Sequence, residues 1–445
     1  MSSYHTSSSV DESKDDHLHH IRASEKRNVF VLAVHYVLLR LGWIFKTETV
    51  IMPSFMDAVS GAGWLRGCLP VVNRSCSSLP PVFVAERVRN TREKKWALVI
   101  STCLMACPFI ALSALWYYVH EHPPAWMAGL FLGCYALFFV VTGVNRLCYN
   151  TTQGKLIRAN RRGRLLAIAG VLGSALSIMA VWLLLPRWLE IPDHYGYVFI
   201  FGMTGLGFIL AGTVCMFIDE PADKPAKVNI GWRHHIQEAW RIWSTDQDFR
   251  ILAVAAMLFV MIQLAFPHFQ LLGKQALTRE GVDVQSHGFH LMIWVVSQNA
   301  AVGIFSLISG LIADRWGNRL AIRIQVFAVS LAPVGALLLG SGLIDDGVRW
   351  YGIVFFLLGL APVTFSTLNN YVLELAVTSD HPRYVSTLSV CMAVPFCFSP
   401  LVGALLDHFG FPVVFTCITA LIALGGAMTF WMSEPRHNES GPSRV

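Results

Sequence analysis

The chain has 445 residues, of which 54% are hydrophobic and 14% charged, with a formal net charge of +6. An average soluble domain carries roughly 25% charged residues, so a composition this apolar argues against an ordinary water-soluble fold. The Lys and Arg residues lie mostly in short connections between apolar runs, a pattern that fits a membrane surface better than nucleic-acid binding.

Residues 1–27 are rich in Ser, His, Asp and Lys, with no apolar core of a signal peptide, and read as a disordered, solvated tail. His17, His19 and His20 have no second ligand cluster near them in sequence, so no metal is expected there. Twelve apolar spans follow, each close to the ~20 residues that cross a bilayer as a helix. The first half, 28–218, holds Val29–Met56, Trp64–Val84, Trp96–Tyr118, Trp126–Cys148, Leu165–Leu185 and Tyr197–Ile218. A polar linker, 219–250, comes next; Trp232, Ile236, Trp240 and Trp243 recur near helical spacing, which predicts an amphipathic helix on a membrane surface. The second half, 251–434, holds Ile251–Leu272, His290–Ile312, Ala321–Leu339, Tyr351–Leu375, Val385–Leu406 and Pro412–Met432, and 435–445 form a short tail. The expected fold is therefore all-α and polytopic, because lipid leaves an open sheet edge unpaired and alternating barrel strands are absent.

The positive charges set the expected orientation. Arg87, Arg89, Arg92, Lys94 and Lys95 follow the second span, Lys155, Arg158, Arg161, Arg162 and Arg164 the fourth, and Arg315, Arg319 and Arg323 the eighth. Connections such as 120–125 and 407–411 have none, which predicts a multi-pass cell-membrane protein with both termini in the cytoplasm. Trp116, Tyr117, Trp126, Trp188, Trp350 and Tyr351 are expected at the outer interface. The ten Cys residues are scattered through the spans and read as packing residues, with no disulfide framework and no metal role. Asn73-Arg74-Ser75 matches a glycosylation sequon but lies inside a span.

The stretch Gly310-Leu311-Ile312-Ala313-Asp314-Arg315-Trp316-Gly317-Asn318-Arg319 sets a charged turn between two long apolar runs. With the span count, Gly310, Asp314, Arg315, Gly317 and Arg319 resemble the signature of the major facilitator superfamily between the second and third helices of a half. A weaker copy stands in the first half, with Glu86 and Arg87 as the acidic–basic pair but Val82 and Arg89 where the family has other residues. Arg161-Arg162-Gly163-Arg164 and the group Gly403, Asp407 and Gly410 are similar to further family positions. The resemblance implies twelve helices in two six-helix halves that rock around a midplane site. It also implies a gating role for the signature residues, Asp314 and Arg315 foremost; fixing topology and capping helix ends is the alternative.

Charges inside the spans point to the site. Arg40, Lys46 and Glu48 lie in the first span and Arg74 in the second, where each charge costs about 2.5–3.5 kcal/mol on insertion scales. At about 100° per residue, Lys46 and Glu48 project away from each other and are not expected to pair, leaving Arg74 as the better neighbour. Arg40, Lys46 and Arg74 are candidate substrate-binding residues for an anionic or carboxylate-bearing solute, and Glu48 the candidate proton carrier. An internal charge network, extending to Asp57, explains the same residues without a solute. In the second half Gln263, Gln298 and Asn299 are the amide candidates for the cavity, while His268, Asn369 and Asn370 fit helix packing.

The expected function is secondary active transport of a small organic solute by alternating access, with protons as coupling ion. No phosphate-binding Gly-x-x-x-x-Gly-Lys-Ser/Thr sequence occurs, and no enzymatic residue set, cofactor or metal is expected. A monomer in the bilayer is the expected working unit. A sugar or drug carrier of the same fold and a non-transporting sensor or scaffold are the alternatives.

Overall fold

Hydrocarbon offers no partner for a backbone N–H or C=O, so a chain that crosses it repeatedly must close its hydrogen bonds within helices. The computed structural model describes residues 5–78, 80–222, 232–283, 287–376 and 380–433, and among these there are helices and turns but no strand. The first half comprises α1 (His5–Ile44), α2 (Ile51–Val59), α3 (Gly63–Ser78), α4 (Pro80–Asn90), α5 (Lys94–Val119), α6 (Met127–Leu156), α7 (Ala159–Leu189) and α8 (Tyr197–Val214). After α9 (Trp232–Thr245), the second half comprises α10 (Gln247–Leu264), α11 (Phe266–Arg279), α12 (His287–Trp316), α13 (Asn318–Gly340), α14 (Gly352–Leu358), α15 (Leu360–Leu375), α16 (His381–Ala393) and α17 (Ser399–Met428).

Ten helical segments among the described residues are long and apolar enough to cross a membrane. The last, Arg383–Met428, has 46 residues. At 1.5 Å per residue it would span about 69 Å, more than twice a hydrocarbon core of about 30 Å. It is interrupted at Gly410, whose φ of 76° breaks the helix, so it holds two of the expected spans. The remaining expected span is divided between α3 and α4, of 16 and 11 residues, each too short alone. The architecture is thus consistent with twelve crossings.

Several other breaks have local causes. Between α1 and α2 the chain leaves the helix at 45–50, and Thr47 Oγ1 accepts from the Ile51 N–H at 3.2 Å. Between α10 and α11 the break at Ala265 precedes Pro267, which sits in the first turn of α11, where its missing N–H costs nothing. The start of α10 is capped by Asp246, which accepts from the Phe249 N–H at 2.9 Å.

The segment expected as a disordered tail differs from that expectation. Helix α1 begins at His5, and its Ser24 donates to Asp219 at 2.7 Å while the Asn28 side chain bonds the Asp219 backbone at 2.8 and 2.9 Å. Partners at the end of α8, remote in sequence, hold this part of the chain. The basic connections are also fastened rather than merely solvated. Glu25 accepts from Arg158 at 2.7 and 2.9 Å and pairs with Arg161 at 3.0 Å, and this hydrogen bonding, with the carboxylate's charge, raises the pKa of Arg158. Glu220 accepts from the Lys94 and Lys95 N–H groups at the start of α5 and from Lys155 at 2.7 Å, a carboxylate placed at a helix N-terminus.

In α9, Trp240 is 71% exposed and Ile242 is buried, whereas the side chains of Trp232 and Ile236 lie outside the described residues, as do residues 435–445. Two of the aromatics expected at the outer interface point inward instead. Trp116 is buried and donates to the His194 carbonyl at 2.9 Å, and Tyr351 is buried and donates to the Phe269 carbonyl at 2.8 Å. Each has a carbonyl of another element within reach of its polar tip, which satisfies that tip without the headgroups.

Candidate functional site

A cavity of about 720 Å³ lies between the two halves. Arg40, Lys46, Glu48, Arg74, Gln263, Gln298 and Asn299 all line it, although they come from α1, the break after it, α3, α10 and α12. Sequence reasoning missed Arg146 on α6, which stands exposed on the wall, and assigned Asn369 on α15 to packing although it also lines the space. A lone Arg near the end of a long apolar run gave no signal that set Arg146 apart from loop arginines. His268, by contrast, is fully buried and does not reach the cavity.

The pairing of Lys46 and Glu48 corrects the expectation that they point apart. Lys46 Nζ donates to Glu48 Oε1 at 2.9 Å, and Asn73 donates to the other carboxylate oxygen. The helical-wheel argument fails because α1 ends at Ile44, so the two residues sit in a non-helical segment where 100° per residue no longer applies. Lys46 is 1% exposed, with its ammonium 3.7 Å from the Trp43 ring centre and 4.4 Å from that of Phe139. Rings replace water around the ammonium through their negative faces, while Glu48 supplies the countercharge.

Arg74 does not neighbour Glu48. It donates to the Ser389 carbonyl of α16 at 3.3 Å and lies beside the rings of Phe365 and Phe396, so it reaches across to the second half. Thr49 makes a second crossing, donating to Gln298 Oε1 at 2.5 Å. Among the described residues Arg40, Arg74 and Arg146 have no carboxylate partner. Asp57, the other member of the expected network, lies elsewhere and pairs with Arg66.

That second pair belongs to a closure on the face away from the basic connections. Arg66 also approaches Asp407 at 3.9 Å, and Asp407 accepts from the Gly63 N–H at 2.8 Å, joining α3 to α17. Ser399 donates to the Gly67 carbonyl at 2.6 Å, and a Cβ at Gly67 or Gly403 would collide with the facing backbone. Nearby, Lys274 of α11 donates to Ser54 of α2 at 2.6 Å. On the same face Gly288 at the start of α12 packs against Pro186 and Leu189 at the end of α7.

A Cβ added at Gly310, on α12, would meet nothing within 4 Å, and Asp314 and Arg315 are exposed. In this conformation the signature loop binds its own half: Arg319 donates to the Met432 carbonyl at 2.9 Å and Asn318 to Glu374 at 2.9 Å. Gly317 has φ 90° and ψ 158°, a region open essentially to glycine alone, which explains its place in the turn. Arg87 on α4 is exposed, and the Glu86 side chain lies outside the described residues. The cavity therefore opens toward the basic connections and is closed on the other face.

The comparisons fit this architecture. The structure resembles a crystal structure of a mutant of the nucleoside transporter NupG, with a TM-score of 0.71 at 11% identity, covering 91% of this chain and 100% of that one. It resembles the peptide transporter POT in complex with sulfate, with a TM-score of 0.68 at 13% identity and coverages of 91% and 94%. It also resembles a bacterial homologue of the human lysosomal transporter Spinster in an inward-facing, unoccupied conformation, with a TM-score of 0.64 at 11% identity and coverages of 95% and 99%. At such identities the likeness concerns the fold. A search of curated proteins gives no match. The profile of the Major Facilitator Superfamily matches residues 94–378, well over half of the sequence, and the chain belongs to that family.

Proposed function

We propose that the protein is a secondary active transporter of a small anionic solute, working by alternating access in a cell membrane with its basic connections and both termini on the cytoplasmic side. One observation carries the reading: among the described residues the cavity between the halves is lined by Arg40, Lys46, Arg74 and Arg146 against the single carboxylate of Glu48. Low-dielectric walls strengthen that field, and a guanidinium grips a carboxylate or phosphate through two parallel hydrogen bonds. The closure around Arg66 and Asp407 acts as the outer gate, and the signature residues Gly310, Asp314, Arg315, Gly317 and Arg319, with Glu86 and Arg87, act as the inner gate when the halves rock.

Glu48 is the coupling group, because among the described residues it is the only carboxylate on the wall and it is tied to Lys46. Protonating it would release Lys46 toward the solute. Purified protein in liposomes, offered organic anions, neutral sugars, nucleosides and cationic drugs with and without a pH gradient, tests the reading. Accumulation of anions that follows the gradient is expected, and transport of neutral solutes alone would overturn it. Glu48→Gln should retain anion binding and counterflow but lose gradient-driven accumulation; full accumulation in that variant would remove Glu48 from the coupling role.

A further inference from the structure

The charge of the cavity is divided between the halves. Its ionisable lining residues, Arg40, Lys46, Glu48, Arg74 and Arg146 among them, all come from the first half, whereas the second half contributes amides, hydroxyls and apolar groups. Lys46 and Glu48 neutralise each other at 2.9 Å. The three arginines Arg40, Arg74 and Arg146 are then left lining the same space with no carboxylate partner among the described residues. On the facing wall the Gln263 side chain has no hydrogen-bond partner among the described residues, and Asn299 uses only its N–H, on the Val295 carbonyl of its own helix, leaving its oxygen available.

From this asymmetry we infer the class of solute: a phosphate monoester of a hydroxylated body, its phosphate held at Arg74 and Arg146 and its hydroxyls against Gln263, Asn299 and Asn369. The inference rests on the anion-transport reading and narrows it. Three guanidiniums lining one cavity without a carboxylate partner are neutralised best by a compact dianion, and a phosphate monoester carries about −1.5 to −2 charges at pH 7 with three acceptor oxygens. A solute with carboxylates at both ends would press one of them against a wall with no cation. A neutral hydroxylated body instead meets hydrogen-bond donors and acceptors on that wall. The cavity volume of about 720 Å³ accommodates a phosphorylated sugar with water, within the usual range of about 300–1,000 Å³ for small-molecule sites.

The test is calorimetric binding to the full-length protein in nanodiscs, with glucose 6-phosphate, inorganic phosphate, gluconate, succinate and uridine as probes. Glucose 6-phosphate should bind at least about tenfold tighter than gluconate, succinate and inorganic phosphate, with uridine weakest; tenfold corresponds to about 1.4 kcal/mol. Arg146→Gln should abolish the preference for glucose 6-phosphate over gluconate, and Asn299→Ala should weaken glucose 6-phosphate by about fivefold while leaving inorganic phosphate unchanged, the loss of about one hydrogen bond. If Arg146→Gln does not fold, Arg146→Lys, which keeps the charge but loses the fork, should reduce the same preference. Gluconate or succinate binding as tightly as glucose 6-phosphate would overturn the phosphate assignment and leave anion transport standing. Asn299→Ala weakening both phosphates equally would overturn the placement of the body, and tight binding of uridine with no anion binding would overturn both readings.

Discussion

Lys46 shows how a side chain that looks prohibitive in a membrane is accommodated. A buried ammonium needs a countercharge and a substitute for water; Glu48 supplies the first and the rings of Trp43, Phe138 and Phe139 the second. The two partners differ in dependence, since Lys46 is 1% exposed and Glu48 30%. Replacing Glu48 by Leu strands a fully buried cation and should cost about 3–5 kcal/mol, whereas Lys46→Met leaves a carboxylate that cavity water can reach and should cost less. Unfolding of both variants in detergent measures this; a larger loss for Lys46→Met would contradict the account. The charged residues at the site were legible because lipid makes each intramembrane charge conspicuous. Their pairing was not, since it depends on where α1 stops, and no residue between Gly42 and Thr47 breaks a helix as Pro does.

Among the elements, α3 and α17 govern the closed face. Their backbones touch because Gly63, Gly67 and Gly403 have no side chain at the crossing, the small-residue contact that lets membrane helices approach closely. A Val at position 67 would press on the Ser399 carbonyl and the Pro400 backbone. Gly67→Val should therefore open this face, and attachment of a membrane-impermeant reagent to an introduced Cys at Ser54, which is buried at the closure beside Lys274, should rise severalfold; unchanged labelling would show that the contact does not hold the gate. Gly317→Ala forces a Cβ onto a φ of 90° and should destabilise the chain by about 1–3 kcal/mol, read as a lower melting temperature. The helices themselves were legible from apolar length and basic bounds. The inward turn of Trp116 and Tyr351 was not, because an aromatic at a span end fits either the interface or a buried carbonyl, and only the neighbouring element decides.

For the molecule as a whole, the two halves meet on the face fastened by Arg66, Asp407 and Ser399 and enclose the cavity beyond it. Spin labels at Arg162 and Arg315, placed by chemistry that leaves the ten free cysteines untouched, should report a long distance across the basic face in the wild type. The same labels in Gly67→Val should show a shorter population as the halves rock, and an identical distribution would mean that the two faces are not coupled. Sequence alone determined that the chain crosses a membrane as helices and that Arg40, Lys46, Glu48 and Arg74 are the charges to be explained, because hydropathy and charge are local properties. Only the tertiary structure decided that Lys46 pairs with Glu48, that Arg146 joins Arg74 on the wall, that Arg66 and Asp407 fasten the closed face, and that the charge lies in one half. Those are relations between residues tens to hundreds of positions apart, and they exist only once the helices have packed.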